Sequence, residues 1–419
     1  MKVLWISPNG GNYKKNIIKG TGGWIGALQD EITTRFPDLE LGIAFISQSD
    51  NEPIIEGRVT YLPAKFSKGS SNASLFFHDY FGNPNKDDEI MAGLLKKRID
   101  EYRPDVIHVW GTEGDHASVI PLIETPFIVH IQGLTSLCFY NRLPYGYSER
   151  DLHSADFPIR WLLRHGSYKS YQDYKRKAKR EIYLSKYVKY WMGRTEWDKI
   201  GTRLLSPDSH YFHCEEVMRN DFMGEKWHFQ YDGGLLHIHS SINPSFLKGF
   251  DVVLNTALIL KNIGVKTEWN VFGVDGKDYR TKYTIHKLKI NPSEVGVKLH
   301  GFVPGDVIRN GLLSSDVFVH PSYMENSSNA IAEAMLLGVP TIAHFVGGNP
   351  TMLKDDSGLL VPPNEPFTLA NAIMEMRNKE IAEGYSQRAL NVAEKRQNND
   401  KTVADLINIY EAIIKTKHS

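Results

Sequence analysis

Short apolar runs alternate with amphipathic segments along most of the chain. The run "KVLWISP" near the N-terminus is almost wholly apolar, and the glycine-led stretch "GGWIGALQDEITTRF" that follows it has helical spacing. The runs "DVIHVWG" and "PFIVHIQG" continue the same order. Continuous apolar runs are typical of strands buried on both faces, and helices between them supply the crossovers of a parallel sheet. The pattern therefore predicts an α/β fold with helices on both faces of the sheet.

The second half of the chain repeats this alternation. "GGLLHIHSS", "TEWNVFGV" and "VFVHPS" are predicted strands, and "KGFDVVLNTALILKNI" is a predicted helix. We therefore predict two Rossmann-like parallel-sheet domains that face each other across a cleft, over residues 1–205 and 206–398, with a C-terminal helix over 399–419. Because open parallel sheets bind ligands beyond the carboxyl ends of their strands, we expect the functional residues in loops after strands.

Size and composition limit the possible functions. A chain of 419 residues exceeds the usual size of one hydrophobic core. Lys plus Arg and Asp plus Glu are both 49, which gives no support to general nucleic-acid binding. Two cysteines, Cys138 and Cys214, are too few for a disulfide framework, so we expect a reduced cytoplasmic setting. From the lack of long apolar runs we expect neither a signal peptide nor a spanning segment of about 18 apolar residues.

Two glutamates flank a predicted helix start in "PSYMENSSNAIAEAMLLGVPTIAHFVGGNP". Glu325 lies in the loop before the helix, and Glu333 lies about one turn inside it. Ser327, Ser328 and Asn329 occupy the expected helix start, where serine and asparagine are good N-cap residues. The unpaired N–H groups and the dipole at such an end favour phosphate. Carboxylates on either side are acceptors for the hydroxyl groups of sugar rings.

The E-x7-E spacing, the following "AM-x2-G-x-P-T-x-A" pattern, a Gly-Gly pair and "SGLLVPP" resemble the retaining glycosyltransferases of family 4, which have the GT-B fold. The resemblance is most specific over 317–363. It implies that Glu333 binds the ribose of a nucleotide-sugar and that Glu325 contacts the transferred sugar. It also implies an acceptor-side first domain, a donor-side second domain, and a C-terminal helix that packs back toward the first domain.

The resemblance assigns further donor-binding residues. Gly347 and Gly348 let the backbone approach the donor. Lys248 supplies positive charge to the diphosphate, whereas the usual arginine of that loop is missing and the usual carboxylate after the glycines is Thr351. The resemblance also implies that three residues, Gly273, Phe302 and Val303, lie along the nucleobase. An equal alternative is that these residues simply follow the ends of strands.

Three motifs of the first half carry two interpretations each. Gly22 and Gly23 contact phosphate or acceptor in the family, or form a flexible loop. His130, at a predicted strand end, reaches the donor sugar or is a satisfied core histidine. Arg194 binds an acceptor phosphate, or forms a structural bridge with Glu196 or Asp198. The loop containing Glu113, Asp115 and His116 either meets the acceptor or is simply a polar loop, which is the interpretation we favour. We interpret His108 as structural.

The implied reaction is transfer of a sugar with retention to a hydroxyl of a saccharide or lipid-linked acceptor, in surface polysaccharide or glycoconjugate assembly. Glu325, His130 and Lys248 are the implied catalytic residues. The donor, of UDP or GDP type, is a substrate, and we expect no cofactor and no metal, since His210 and His213 would point to opposite faces of a strand. The alternatives are a GT-B sugar-nucleotide epimerase or hydrolase, and a non-catalytic nucleotide-sugar binding protein.

One segment differs from the alternating pattern. Residues 159–190 contain ten Lys or Arg and two acidic residues, interleaved with aromatic residues and leucines. Such a segment either contacts the inner face of the cell membrane peripherally or forms a solvated helical face.

Overall fold

The computed structural model describes residues 1–14, 23–69, 72–163, 165–218 and 220–416. The strands are β1 Lys2–Ile6, β2 Glu40–Ser47, β3 Ile54–Glu56, β4 Val59–Lys65, β5 Val106–Trp110, β6 Phe127–His130, β7 Tyr190–Gly193, β8 His210–His213, β9 Leu236–Ser241, β10 Thr267–Phe272, β11 Val297–Gly301, β12 Val317–His320, β13 Thr341–His344 and β14 Leu359–Val361.

The helices are α1 Gly23–Arg35, α2 Asn72–Phe81, α3 Pro84–Tyr102, α4 Thr135–Phe139, α5 Glu149–Asp156, α6 Ile159–Leu162, α7 Ser167–Leu184, α8 Glu196–Leu205, α9 Phe250–Asn262, α10 Tyr279–Leu288, α11 Gly305–Leu313, α12 Asn329–Leu337, α13 Asn349–Met352, α14 Pro366–Glu375, α15 Lys379–Arg396 and α16 Asn399–Lys415.

The strands form two sheets, one in each half of the chain. The first has the order β3-β4-β2-β1-β5-β6-β7-β8, and the second has the order β11-β10-β9-β12-β13-β14. Every ladder in the described residues is parallel except β3–β4. The predicted α/β class, with a parallel sheet in each half of the chain, is confirmed.

The first sheet is buried on both faces, which explains its continuous apolar strands. Along β1, Val3 and Trp5 pack into one hydrophobic cluster, whereas Leu4 and Ile6 pack into the other. The first cluster also contains residues of α1 and of the C-terminal helix α16, including the fully buried Tyr410. Residues of α16 thus contribute to the core of the first sheet.

The chain divides into two compact units that differ from the sequence-based division. The first unit comprises 1–139, 172–218 and 398–419, and the second comprises 140–171 and 219–397. Residues 140–171, which we assigned to the first domain, therefore belong to the second unit. The main boundary lies after residue 218, not after 205.

Candidate active site

Two loops of the second unit meet at the point where the order of the strands in its sheet reverses, between β9 and β12. Strands β9 and β12 are neighbours in the sheet although two strands separate them in sequence. Lys248 ends a short 3-10 turn after β9, and Glu325 follows β12 by five residues. A parallel sheet forms a ligand-binding crevice at this kind of topological switch point. The topology therefore brings together two residues that are 77 positions apart.

The backbone of the two loops fixes their contact. The Tyr323 N–H donates to the Leu247 carbonyl at 2.8 Å. Gly249 has φ +74°, and a Cβ there would lie 2.0 Å from the Pro321 carbonyl oxygen. A side chain at this position would force the loops apart, so the glycine is required to hold Lys248 beside the end of β12.

Two basic side chains contact the carboxylate of Glu325. Lys248 Nζ lies 2.6 Å and His320 Nε2 lies 2.9 Å from the same oxygen, Glu325 Oε2. Burial alone would raise the pKa of Glu325, but Lys248 and His320 hold it well below its usual range. We call Lys248, His320 and Glu325 the switch-point cluster. Its carboxylate is ionised at neutral pH, so Glu325 is an acceptor and cannot act as a general acid.

Helix α12 begins directly after this cluster, as predicted. Ser328 is its N-cap and accepts a hydrogen bond from the Ile331 N–H at 3.4 Å. Asn329 is the first helical residue, and the hydroxyl of Ser327 points to the sulfur of Met352 at 3.7 Å. Every residue from 331 to 337 is buried, including Glu333 at 6% exposure. Glu333 therefore is not a surface charge.

Several buried polar atoms beside the cluster find no hydrogen-bond partner within the described part of the chain. They are both amide atoms of Asn326, Nδ1 of His320, Nε2 of His344 and Oδ1 of Asn349. Buried polar groups ordinarily have partners, and leaving one unpaired is costly. Such a concentration of donors and acceptors is suited to a hydroxylated or anionic ligand. Sequence reasoning missed His320, although it quoted the run "VFVHPS", and missed Asn326.

The backbone of the Gly-Gly pair contacts the loop that carries Glu325. Gly347 has φ +50°, and a Cβ there would lie 1.8 Å from the carbonyl oxygen of Glu325. The Gly348 N–H donates to that same carbonyl at 3.1 Å. Gly347 therefore permits close approach to the Glu325 loop, and the pair positions the switch-point cluster from the end of β13. The predicted approach of this backbone to a donor stays a prediction.

The three residues predicted along a nucleobase follow β10 and β11. Gly273 has φ +86°, and a Cβ there would lie 2.3 Å from the Ile242 carbonyl oxygen, so packing against the end of β9 accounts for this glycine. Phe302 is 95% exposed and Val303 is half-buried. The exposed ring of Phe302, after the carboxyl end of β11, is thus available to a ligand.

Of the predicted residues of the first unit, His130 and Arg194 are buried. Gly22 lies outside the described residues, and Gly23 is the first residue of α1. His130 ends β6 at 2% exposure, with its ring 4.9 Å from that of Trp110. Burial holds the pKa of His130 well below its ordinary value, so the imidazole is neutral at physiological pH. His130 is thus a buried, neutral side chain at the end of β6, and its predicted role at the donor sugar stays a prediction.

Arg194 forms a structural bridge, but not with either predicted partner. Its guanidinium pairs with Glu216, and both side chains are almost fully buried. The carboxylate of Asp198 instead accepts hydrogen bonds from the N–H groups of Arg194 and Thr195. The guanidinium is therefore committed to an ion pair, and the acceptor-phosphate role is not available in this conformation. No sequence signal linked Arg194 to a residue 22 positions away.

The loop after β5 makes polar contacts within the first unit. Asp115 pairs with Arg180 at 3.1 Å, and Nε2 of His116 donates to the Trp110 carbonyl at 2.8 Å. His108 is fully buried, and its Nδ1 lies 2.6 Å from the Tyr410 hydroxyl. In the part of the chain that the structure describes, no three His, Cys, Asp or Glu side chains are grouped to hold a metal ion.

Part of the second unit matches a known family. Residues 236–379, which contain β9 to β14 and the switch-point cluster, match the model of the family described as "Glycosyl transferases group 1". WcaL of Escherichia coli K12, whose name refers to colanic acid biosynthesis, is 30% identical over 133 residues, or 30% of this chain and 32% of WcaL. The amylovoran biosynthesis glycosyltransferase AmsK of Erwinia amylovora is 29% identical over 140 residues, or 32% of this chain and 34% of AmsK.

A third relative has a name that specifies its reaction. The UDP-Gal:alpha-D-GlcNAc-diphosphoundecaprenol alpha-1,3-galactosyltransferase of Escherichia coli is 30% identical over 111 residues, which are 26% of this chain and 29% of that protein. The chain thus spans about a third of the length of the curated relatives it matches. The similarity is confined to part of each protein.

Solved structures resemble the chain over its whole length. Sucrose-phosphate synthase of Thermosynechococcus elongatus has a TM-score of 0.70 at 13% identity, covering 99% of both chains. Anabaena HepE, solved in complex with UDP and glucose, has a TM-score of 0.61 at 15% identity, covering 98% of this chain and 99% of HepE. At these identities the likeness shows the fold.

Proposed function

We propose that the protein is a retaining glycosyltransferase, which moves a sugar from a nucleotide-sugar to a hydroxyl of a saccharide or lipid-linked acceptor in polysaccharide or glycoconjugate assembly. The observation that carries this proposal is the switch-point cluster with its unpartnered polar neighbours, inside the segment that matches a glycosyltransferase family. Relatives named for polysaccharide biosynthesis, and one named for a lipid-linked acceptor, support the substrate class.

The donor would lie across the carboxyl ends of β9, β11 and β12. Its diphosphate would be placed at the start of α12, where the helix dipole and free N–H groups attract anions, with Lys248 beside it. Phe302 offers an exposed ring for the base. Glu333 and Glu325 would accept hydrogen bonds from the ribose and from the transferred sugar. A donor of UDP type fits the structural neighbour solved with UDP and glucose.

The residues of the cluster suggest how transfer would proceed. Breaking the bond between the sugar and the diphosphate places negative charge on the leaving oxygen, which the Lys248 ammonium would stabilise. The acceptor hydroxyl would attack from the side of the leaving group and give its proton to the departing diphosphate, so the configuration is retained. Glu325 positions Lys248 and the sugar. We assign no cofactor to this reaction.

The test is a panel of UDP-, GDP- and ADP-sugars, scored by thermal stabilisation and then by turnover with saccharide and lipid-linked acceptors. We expect one donor to stabilise the protein, and product analysis by NMR to show the anomeric configuration of the donor. Glu325→Gln should abolish most turnover, while Glu383→Gln on the exposed face of α15 serves as the matched control. Absence of stabilisation by every donor, or full activity of Glu325→Gln, would overturn the proposal.

A further inference from the structure

The loop between β9 and α9 offers a diphosphate a single cation. Lys248 is the only basic residue between these two elements, and its charge is shared with the Glu325 carboxylate at 2.6 Å. The diphosphate of a nucleotide-sugar carries more than one negative charge, and phosphate oxygens in proteins are held mainly by arginine and lysine. A second cation for the donor would therefore have to come from another segment of the chain.

The segment 140–171 packs against this loop and belongs to the same compact unit. The ring of Tyr147 lies 5.0 Å from the ring of Phe246 in the β9–α9 loop. Further along the segment, the carboxylate of Asp151 accepts a hydrogen bond from the Tyr283 hydroxyl of α10 at 2.7 Å. These contacts fix the segment on the loop and on α10.

The beginning of this segment reaches both loops of the switch-point cluster. Asn141 Nδ2 lies 3.7 Å from the sulfur of Met324, the residue that immediately precedes Glu325. The next residue, Arg142, is half-buried and lines a cavity of about 160 Å³ together with residues 245–247. Consecutive Cα atoms are only about 3.8 Å apart. Arg142 is therefore placed between the loops that follow β9 and β12.

The cavity presents groups that suit a phosphate. Its lining includes the side chains of Arg142, Arg280, Ser170 and Tyr279, whose guanidinium and hydroxyl groups are donors to phosphate oxygens. Arg280 makes a two-point contact with the carboxylate of Asp278, at 3.0 and 2.8 Å, and Arg142 Nη2 lies 3.4 Å from the Ser170 hydroxyl. Because Arg142 directly follows the residue that contacts the β12 loop, it is the arginine that adjoins the chain leading to α12.

We propose that Arg142 binds the diphosphate of the nucleotide-sugar together with Lys248 and supplies the cation that the β9–α9 loop lacks. The inference rests on the proposed function and adds a residue to its donor site. A guanidinium can donate two parallel N–H bonds to one phosphate group, which an ammonium cannot do. Arg142 lies outside residues 236–379, so the family match does not include it.

Isothermal titration calorimetry with UDP, GDP and ADP, and with the three matching nucleosides, tests the role of Arg142. We expect the wild type to bind one of the diphosphates at one site per chain. Arg142→Met should weaken that diphosphate about tenfold or more, because a charge-assisted hydrogen bond is lost, and should leave the affinity for the matching nucleoside unchanged. Arg142→Lys keeps the charge without the two-point geometry, so its affinity should be intermediate.

Inorganic pyrophosphate serves as a probe without a base. It should displace the bound nucleoside diphosphate from the wild type, and about tenfold more of it should be needed to do so in Arg142→Met relative to the affinity of each variant for the nucleoside. The matched control is Arg150→Met, at an exposed position of α5 in the same segment, which should bind every probe as the wild type does.

Three results would overturn the inference. Equal diphosphate affinity of the wild type and a folded Arg142→Met variant would remove Arg142 from the donor site while leaving the proposed function intact. An equal loss of affinity for nucleoside and diphosphate would make Arg142 a structural residue. If UDP, GDP and ADP all fail to bind the folded wild type, the proposed function and this inference fail together.

Discussion

At the scale of single residues, Glu325 shows how neighbours decide the chemistry of a buried carboxylate. Burial alone would favour its protonated form, yet Lys248 and His320 both contact Oε2 and keep the group ionised. The side chains of Glu325 and Lys248 are 14% and 24% exposed, so a ligand can reach them. A sequence pattern identified Glu325 and Lys248. Their mutual contact, and the part of His320, depend on loops that only the sheet topology brings together.

A double-mutant cycle should measure the Lys248–Glu325 pair. Each single variant, Lys248→Met or Glu325→Gln, leaves one group without its partner, so we expect a loss of about 2 kcal/mol in the free energy of unfolding. The double variant should cost less than the sum of the two. The coupling should be complete at neutral pH and disappear as the pH falls below the ordinary range for glutamate, because the folded-state pKa is depressed. Urea denaturation gives these energies, and additive losses would contradict the pairing.

Asp251, which follows the Lys248 loop, should make stability fall as the pH rises, which is the opposite of the pH dependence expected for Glu325. Burial raises the pKa of Asp251 to about 6. The hydrogen bond that the Tyr323 hydroxyl donates to Asp251 at 2.7 Å favours the ionised form and limits this rise. A carboxyl with a raised folded-state pKa binds more protons when folded, so stability falls as the pH rises from about 4 to about 6. Asp251→Asn should remove this slope and gain about 2 kcal/mol at pH 7.5. A variant with the wild-type slope would contradict the assignment.

At the scale of elements, glycines at loop contacts hold the site together. Gly249 and Gly347 both have positive φ, and in both cases a Cβ would meet a carbonyl oxygen of the β12 loop. The sequence predicted that a Gly-Gly pair mattered, and it also predicted the start of α12. It could not show which backbone each glycine approaches, because that contact joins loops from different strands.

Gly347→Ala tests this contact against a control with the same backbone conformation. Gly57 has φ +63°, and a Cβ added there would have no atom within 4 Å, so Gly57→Ala should cost only the left-handed conformation, about 1 kcal/mol. Gly347→Ala adds a collision with the Glu325 carbonyl, and we expect a loss of about 3 kcal/mol or more. Thermal denaturation compares the two variants. Equal losses of stability in the two variants would contradict this expectation, because they would show that the Glu325 loop moves away from the added Cβ at no cost.

Element prediction failed where local chemistry conflicts with tertiary pairing. Strand β4 was not among the predicted elements, and it contains Pro63, which lacks the N–H that a ladder needs. In the structure β3 pairs only with Val59 to Tyr61, which leaves Pro63 on an open strand edge, where a missing donor is tolerated. The helices α2 and α10 were also missed, since neither lies in the segments with the clearest periodicity.

At the scale of the whole molecule, each compact unit is built from segments that are separated in the sequence. The alternation of strands and helices predicted two α/β units correctly. It could not show that 140–171 belongs with the second unit, whereas the family resemblance did predict that the C-terminal helix packs with the first. Such assignments depend on contacts across hundreds of residues. In α16, the Tyr410 hydroxyl accepts from Trp5 Nε1 at 3.1 Å and contacts His108 Nδ1 at 2.6 Å.

Tyr410→Phe should therefore weaken the first unit selectively. The change leaves two buried polar groups, on β1 and β5, without their partner, and we expect a loss of about 2 kcal/mol. Hydrogen exchange measured by mass spectrometry should increase in β1 and β5 and stay unchanged in β9 to β14. Tyr231→Phe is the counterpart in the second unit, where the hydroxyl accepts from Arg377 Nε at 2.8 Å. Equal effects of Tyr410→Phe on both sheets would contradict the described division.

In the proposed function, the diphosphate of a nucleotide-sugar binds beside Lys248 at the start of α12. Isothermal titration calorimetry of UDP- and GDP-sugars against the wild type and Lys248→Met tests it most directly. We expect one donor to bind the wild type at one site per chain, and Lys248→Met to bind it about tenfold or more weakly, because a hydrogen bond to a charged group is lost. Equal affinity of a folded Lys248→Met variant for that donor would contradict the claim.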